Sequence, residues 1–236
     1  MFREAVYNVR SDYCNYYSWD CMRRLALGVS AGSILANTSL DQDFRDWYQD
    51  DVSSTDTRHL ADFWKTFGEG QIFIPAIAGL GLVGGLLEDR PLFGAVGGFG
   101  DRATRGYLVG TPPMLLMQSL LGGSRPGEAS VESQWKPFDD DNAVSGHAFV
   151  GAVPFITAAK MTENRWLKSG LYLCSTFTAW SRVDHDRHYL SQVCLGWWMA
   201  YLACDAVDGT EQKDRCYEVA PVVTREVTGV GITVRR

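Results

Sequence analysis

"SRVDHDRHYLSQ", Ser181 to Gln192, places two of the chain's four histidines, two aspartates and two arginines within twelve residues, between apolar segments. Such a density of ionisable groups reads as a metal site, a phosphate site or a solvated loop. Asp184, His185, Asp186 and His188 all carry ligand atoms. Four donors on one short loop are nevertheless too crowded to converge on a single ion without partners elsewhere, so no metal is expected. What the loop does then depends on what the rest of the chain brings to it.

The net charge of −6 argues against a nucleic-acid binder, and a phosphate-bearing partner must meet a local cluster of arginine. Hydrophobic residues make up 46% and charged residues 21%, enough apolar side chain for a sizeable core. A length of 236 residues fits one domain, 1–236, with a helical core over about 18–208 and a β-hairpin tail over 216–236. None of the six cysteines forms a CxxC pair. Cys174, Cys194 and Cys204 sit in apolar runs and are expected to be buried thiols. Cys14 has Cys21 and Cys216 as possible disulfide partners in an oxidising compartment. The opening "MFREAVYNVRSDYCNYYSWD" lacks the continuous apolar run of a signal peptide, which leaves a cytoplasmic chain or an exported one already processed. The apolar stretches, among them "QIFIPAIAGLGLVGGLL" and "VCLGWWMAYLAC", fall short of the ~20 residues a spanning helix needs. They are expected to be core helices.

Along the chain, Ser18 caps a first predicted helix reaching Asn37. "DQDFRDWYQDD" repeats its apolar residues at helical spacing, Asp56 is the predicted cap of "RHLADFWKTF", and Gly68 and Gly70 break that helix. A Gly-rich helix follows from Gln71 to about Leu87, then a turn-like "PLFGAVGGFG", then a helix from about Asp101 to Leu121. The polar stretch Gly122 to Val144 is too long for an ordinary helix connection, and loops of that length are commonly functional. Helices are predicted over Ser145–Met161, Asn164–Arg182 and Tyr189–Val207. "CYEVAPVV" and "VGVGITVRR" alternate in β-branched residues around "TREVTG", a hairpin pattern.

Three segments belong together: "SRP" at Ser124–Pro126, "SGH" at Ser145–His147, and the opening stretch. Their order and spacing resemble the signature of the type 2 phosphatidic acid phosphatase family, whose relatives include vanadium haloperoxidases. That signature has a Lys seven residues before Arg-Pro, then Ser-Gly-His, then Ser-Arg, five residues, His, three residues and Asp. The resemblance covers roughly Asp101 to Asp205. Gln118 stands at the Lys position and Gln192 at the Asp position. The resemblance implies a mainly α helical bundle and a metal-independent phosphatase acting on lipid phosphates or pyrophosphates. It also implies a periplasmic or membrane-associated location, with a membrane surface as a partner. His188 is then the nucleophile, oriented by Gln192, and His147 the acid. His185 falls in the variable stretch and reads as a solvated loop histidine, and His59 as a surface or structural one.

The residue chemistry agrees with these roles. Arg125 and Arg182 can each grip phosphate oxygens bidentately. Ser145 and Gly146 open a helix whose free N–H groups form an anion site, and Gln118 is placed with the phosphate-binding residues. His147 can protonate a leaving alkoxide, and His188 can form a phosphohistidine. Arginines and a helix terminus supply the charge a metal would otherwise supply, so no cofactor is expected. Vanadate fits the pocket as an inhibitor. Two other readings keep the pocket: a vanadate-dependent haloperoxidase, and a member that binds phosphate or a lipid headgroup without turnover, which Gln118 and Gln192 favour. Trp135, Lys136 and Phe138 are placed near the pocket mouth, Lys136 as a substitute for the missing Lys charge. Asp184 or Asp186 is the expected source of the carboxylate charge that Gln192 lacks.

Overall fold

Apolar residues all round a helix, as in "AFVGAVPFITAA", demand burial on every side. That sequence forms the centre of the molecule. The computed structural model describes residues 2–87, 90–127, 133–223 and 228–234. In chain order the helices are α1 (Phe2–Tyr16), α2 (Trp19–Ala36), α3 (Ser39–Trp47), α4 (Thr55–Lys65), α5 (Gly70–Leu86), α6 (Pro91–Leu121), α7 (Gly146–Met161), α8 (Arg165–Asp184) and α9 (Leu190–Cys216). A π-helical turn, Tyr48–Val52, extends α3, and a 3-10 turn, Thr66–Gly68, leads from α4 to α5. The fold is mainly helical. Beyond α9 the backbone of Tyr217–Val223 pairs antiparallel with Thr228–Val234. Residues 224–227 of the predicted "TREVTG" turn lie outside the described residues.

α7 is enclosed by α6, α8 and α9, while α1 and α2 lie along α9. Phe149 and Ile156 of α7 meet Met199 and Leu202 of α9 in the core, all fully buried. Two glycines allow the backbone approaches that this packing needs. A Cβ on Gly196 would lie 2.5 Å from the Ser145 carbonyl oxygen, so α9 presses directly on the start of α7. Gly122 ends α6 at φ +61°, and a Cβ there would collide with the Lys136 carbonyl. The long loop after α6 is thereby folded back on the helix that precedes it: Lys136 N–H donates to the Gly122 carbonyl and Asn142 N–H to that of Gly123.

Several sequence expectations are corrected. α1 precedes the helix predicted to be first, so the helical part begins well before residue 18, and α9 continues past 208 to Cys216. "PLFGAVGGFG" is the first part of α6 rather than a turn. Ser54, not Asp56, caps α4, accepting the Thr57 N–H while the Thr57 hydroxyl accepts the Ser54 N–H. Cys204 is buried, whereas Cys174 is only partly covered and Cys194 is exposed, because it lies on the side of α9 turned away from α7. Cys14 and Cys21 are free thiols. Ser18 caps α2 as predicted, and Asn164, where a helix was expected to begin, caps α8. Among the described residues no single helix is long and apolar enough to cross a membrane. The bent pair Thr55–Gly68 and Gly70–Leu86, at 55° to each other, has the length and composition together.

A buried ion network ties α1, α6 and α9. Arg105 grips Asp12 with two hydrogen bonds, Nε to Oδ2 at 2.7 Å and Nη2 to Oδ1 at 2.8 Å, and its Nη1 reaches Glu211 at 2.6 Å. Asp12 is fully buried. Asp12→Ala leaves that guanidinium short of its partner inside the protein and is expected to cost about 3–5 kcal/mol. Urea unfolding measures this as a lower midpoint at unchanged slope.

Candidate functional site

The three sequence motifs meet where α9 crosses the start of α7. Ser145 is fully buried and caps α7, its Oγ accepting the Ala148 N–H. With that donor taken, the N–H groups of Gly146 and His147 remain at the open end of the helix, where its dipole favours an anion. Ser145 therefore acts through the helix it starts, since its hydroxyl is turned inward. Gln118, near the end of α6, donates from Nε2 to the Val144 carbonyl at 2.8 Å. Its amide lies beside Gly146, 3.8 Å from where a Cβ would be, and its second N–H is left over for a ligand.

His188 is buried, and its Nδ1 lies 2.8 Å from Gln192 Oε1. The orientation of that Gln amide is fixed by two backbone groups. Oε1 also accepts the Tyr189 N–H at 3.2 Å, and Nε2 donates to the Ser124 carbonyl at 2.8 Å. Flipping the amide would set two donors against each other at Tyr189 and two acceptors at Ser124. A free Gln can flip; this one is held. Because Oε1 can only accept, His188 Nδ1 must carry the proton, and the lone pair lies on Nε2. Burial, together with the charges of Arg182, Arg125 and His147, lowers the His188 imidazole from 6.5 to about 3 against the pull of the Gln192 bond. It is neutral at physiological pH.

The charges of Arg182 and Arg125 act on this imidazole, and Arg187 acts in turn on Arg182. Burial and the charges of Arg187 and Arg125 lower the Arg182 guanidinium to about 10, against the opposing Glu69 charge. Arg182 Nε is buried with no hydrogen-bond partner among the described residues. Arg125 also faces Asp140, whose carboxyl is held below its ordinary value: burial opposes this, but hydrogen bonds from Asp141 N–H, Ser124 and Asn142 and the Arg125 charge outweigh it. On the far side, His147 lies 3.7 Å through Nε2 from Glu69 Oε1, and Glu69 lies 4.0 Å from Lys65 Nζ. Burial and the Arg182 charge, with a push from Lys65, lower the His147 imidazole, and Glu69 opposes them.

The structure thus brings together Gln118, Arg125, Ser145, Gly146, His147, Arg182, His188 and Gln192. It also corrects several assignments. Asp184 accepts from the Tyr48 hydroxyl at 3.0 Å and Asp186 pairs with Arg45, so neither gives its charge to His188. His185 pairs with Asp62 at 3.1 Å, away from the site, so the four crowded donors of the opening stretch point to different partners. Trp135 is buried against Gly32 in the core. Lys136 and Phe138 are exposed, and Lys136 is not among the leading charges acting on His147, Arg182 or His188. His59 lies exposed on α4.

Arg187, Glu69 and Lys65 were missed. Arg187 stands beside His188 in the sequence and had a local signal. Glu69 and Lys65 come from the α4–α5 break, where only the glycines invited attention. A separate apolar groove of about 520 Å³ runs between α2, α8 and α9, lined by Phe44, Trp180, Trp197 and Trp198. It contains none of the site's arginines or histidines. No family model, curated protein or solved structure matches this chain.

Clustered arginine charge with a buried, unpartnered Nε predicts oxyanion binding. A tetrahedral oxyanion at a hundredfold excess over its Kd is expected to stabilise the protein by about 2.7 kcal/mol. Thermal unfolding with phosphate and with vanadate should show the rise in Tm, and Arg182→Gln should abolish it.

Proposed function

We propose that this helical bundle is of the phosphatidic acid phosphatase type and works as a metal-independent phosphatase through a phosphohistidine. One observation carries the reading: the neutral His188, its Nδ1–H held by an amide that cannot turn, has its Nε2 lone pair left free beside clustered arginines. Nε2 attacks phosphorus, the bond from phosphorus to the leaving oxygen breaks, and that oxygen takes a proton from His147. Neutral His147 then takes a proton from water as the water attacks phosphorus. The P–N bond breaks, its electron pair returns to Nε2, and inorganic phosphate leaves. Arg125, Arg182 and the N–H groups of Gly146 and His147 carry the charge on the phosphoryl oxygens. Lipid phosphates and pyrophosphates are the proposed substrates.

A second reading has a specific observation behind it. The leading charges acting on His188 are those of Arg182, Arg125 and His147, and its ring partner among the described residues is the neutral Gln192 amide rather than a carboxylate. A protein that binds phosphate or a phosphate headgroup without turnover fits that balance.

Phosphate release in the presence of a chelator, screened over lipid and soluble phosphates, separates the two. Turnover that His188→Ala removes supports the phosphatase. Tight phosphate binding with no release on any substrate supports the binder. For the phosphatase, Gln192→Leu is expected to lower the rate about 10–100-fold while phosphate binding, measured alongside, persists. Gln192→Asp, which supplies the missing charge, is expected to raise the rate.

A further inference from the structure

Among the described residues the candidate nucleophile is held by an amide and not by a carboxylate, yet a carboxylate stands beside the candidate acid. Glu69 occupies the short break between the 3-10 turn Thr66–Gly68 and α5, and Gly68 allows that break to lie directly on His147. A Cβ on Gly68 would come within 2.9 Å of both the His147 Cβ and its carbonyl oxygen. The two chains are thus in backbone contact, and the Glu69 side chain reaches the imidazole edge, with Oε1 3.7 Å from Nε2. That separation is longer than a hydrogen bond. The carboxylate therefore acts through its charge, and the Nε2 proton is not committed to it. Both side chains are about one-third exposed, so the pair stands at the mouth of the site, where a leaving group would depart. Glu69 is the N-cap of α5 through its backbone carbonyl, and its side chain makes no capping hydrogen bond. Its ion pair with Lys65, at 4.0 Å and half exposed, adds little to stability.

We propose that Glu69 is a positioning residue for the site: its carboxylate favours the protonated form of His147, the form that donates to the leaving oxygen, against the cations around it. This rests on the phosphatase reading for its catalytic consequence, but not for the pairing itself. The groups facing His147 are Arg182 from α8, Lys65 from α4, Glu69, and His188 across the pocket. Arg182 and Lys65 are cations that disfavour the imidazolium, and His188 is neutral. Glu69 is the group among them that favours it. The carboxylate charge that the family signature places at the nucleophile is, in this chain, found at the acid.

The sign follows. Removing the Glu69 charge lowers the pH at which His147 loses its proton. The acid is then missing over a wider range of high pH, and the basic limb of kcat/KM moves to lower pH. For a partly exposed pair the shift is expected at the small end of the usual range, about one pH unit. Above the midpoint kcat/KM falls about tenfold, and below it the two proteins are equal. The experiment is a titration of the full chain at low ionic strength, native and Glu69→Gln, following the His147 ring protons by NMR, assigned with His147→Gln. A pH–rate profile on the best phosphate substrate accompanies it.

The expected result is a lower His147 midpoint in Glu69→Gln, a matching move of the basic limb, and an intermediate midpoint in Glu69→Asp, which keeps the charge. An unmoved midpoint in Glu69→Gln overturns the proposal. A midpoint that moves in a native protein releasing no phosphate supports the pairing and overturns the phosphatase reading alone.

Discussion

Gln192 joins three segments of the chain that are far apart in sequence. Its backbone carbonyl accepts the Ser145 N–H at the start of α7. Its side-chain oxygen holds His188 and the Tyr189 N–H, and its amide N–H group reaches back to the Ser124 carbonyl next to Arg125. The residue is almost completely buried, so each of these bonds is made away from competing water. Loss of the side chain would leave a carbonyl, an N–H and an imidazole unsatisfied, each at about 1–3 kcal/mol. The arginine, the helix terminus and the histidine hold one geometry because this amide connects them.

That connection gives an amide at position 192 a task that a carboxylate there could not perform. A carboxylate would orient His188 and also supply charge, but it has no donor for the Ser124 carbonyl. The amide orients and donates without charge. The consequence is a neutral, deeply buried His188 among cations, with the anionic charge of the site placed at its rim in Glu69 and Asp140. The electrostatics suit an incoming oxyanion, which supplies the negative charge that the protein leaves out.

Much of this was legible in the sequence because its signals are local. Ser18 and Asn164 announce helix starts, Gly122 a helix end, and the motifs "SRP", "SGH" and "SRVDHDRH" carry their own spacing. What failed depends on tertiary contact. The glycines of "PLFGAVGGFG" suggest a turn, but Gly97 and Gly100 are there to let α6 touch α5 at Gly84 and Gly81. α1 is polar enough to pass for a leader to Ser18, and its hold on the bundle comes from the buried Tyr16 and from Asp12, whose partner is 93 residues away. Glu69 precedes its histidine by dozens of residues and has no motif around it. Asp184 and Asp186, close to His188 in sequence, are drawn off by Tyr48 and Arg45, which no local pattern reveals.

The most direct test asks where phosphorus becomes attached during turnover. The protein is mixed with a phosphate substrate, quenched in alkali, where phosphohistidine survives, and digested for tandem mass spectrometry. The account predicts a phosphoryl group on the peptide containing His188, located on that residue, and absent from His188→Ala. Turnover with the label on His147 or on no histidine would contradict it.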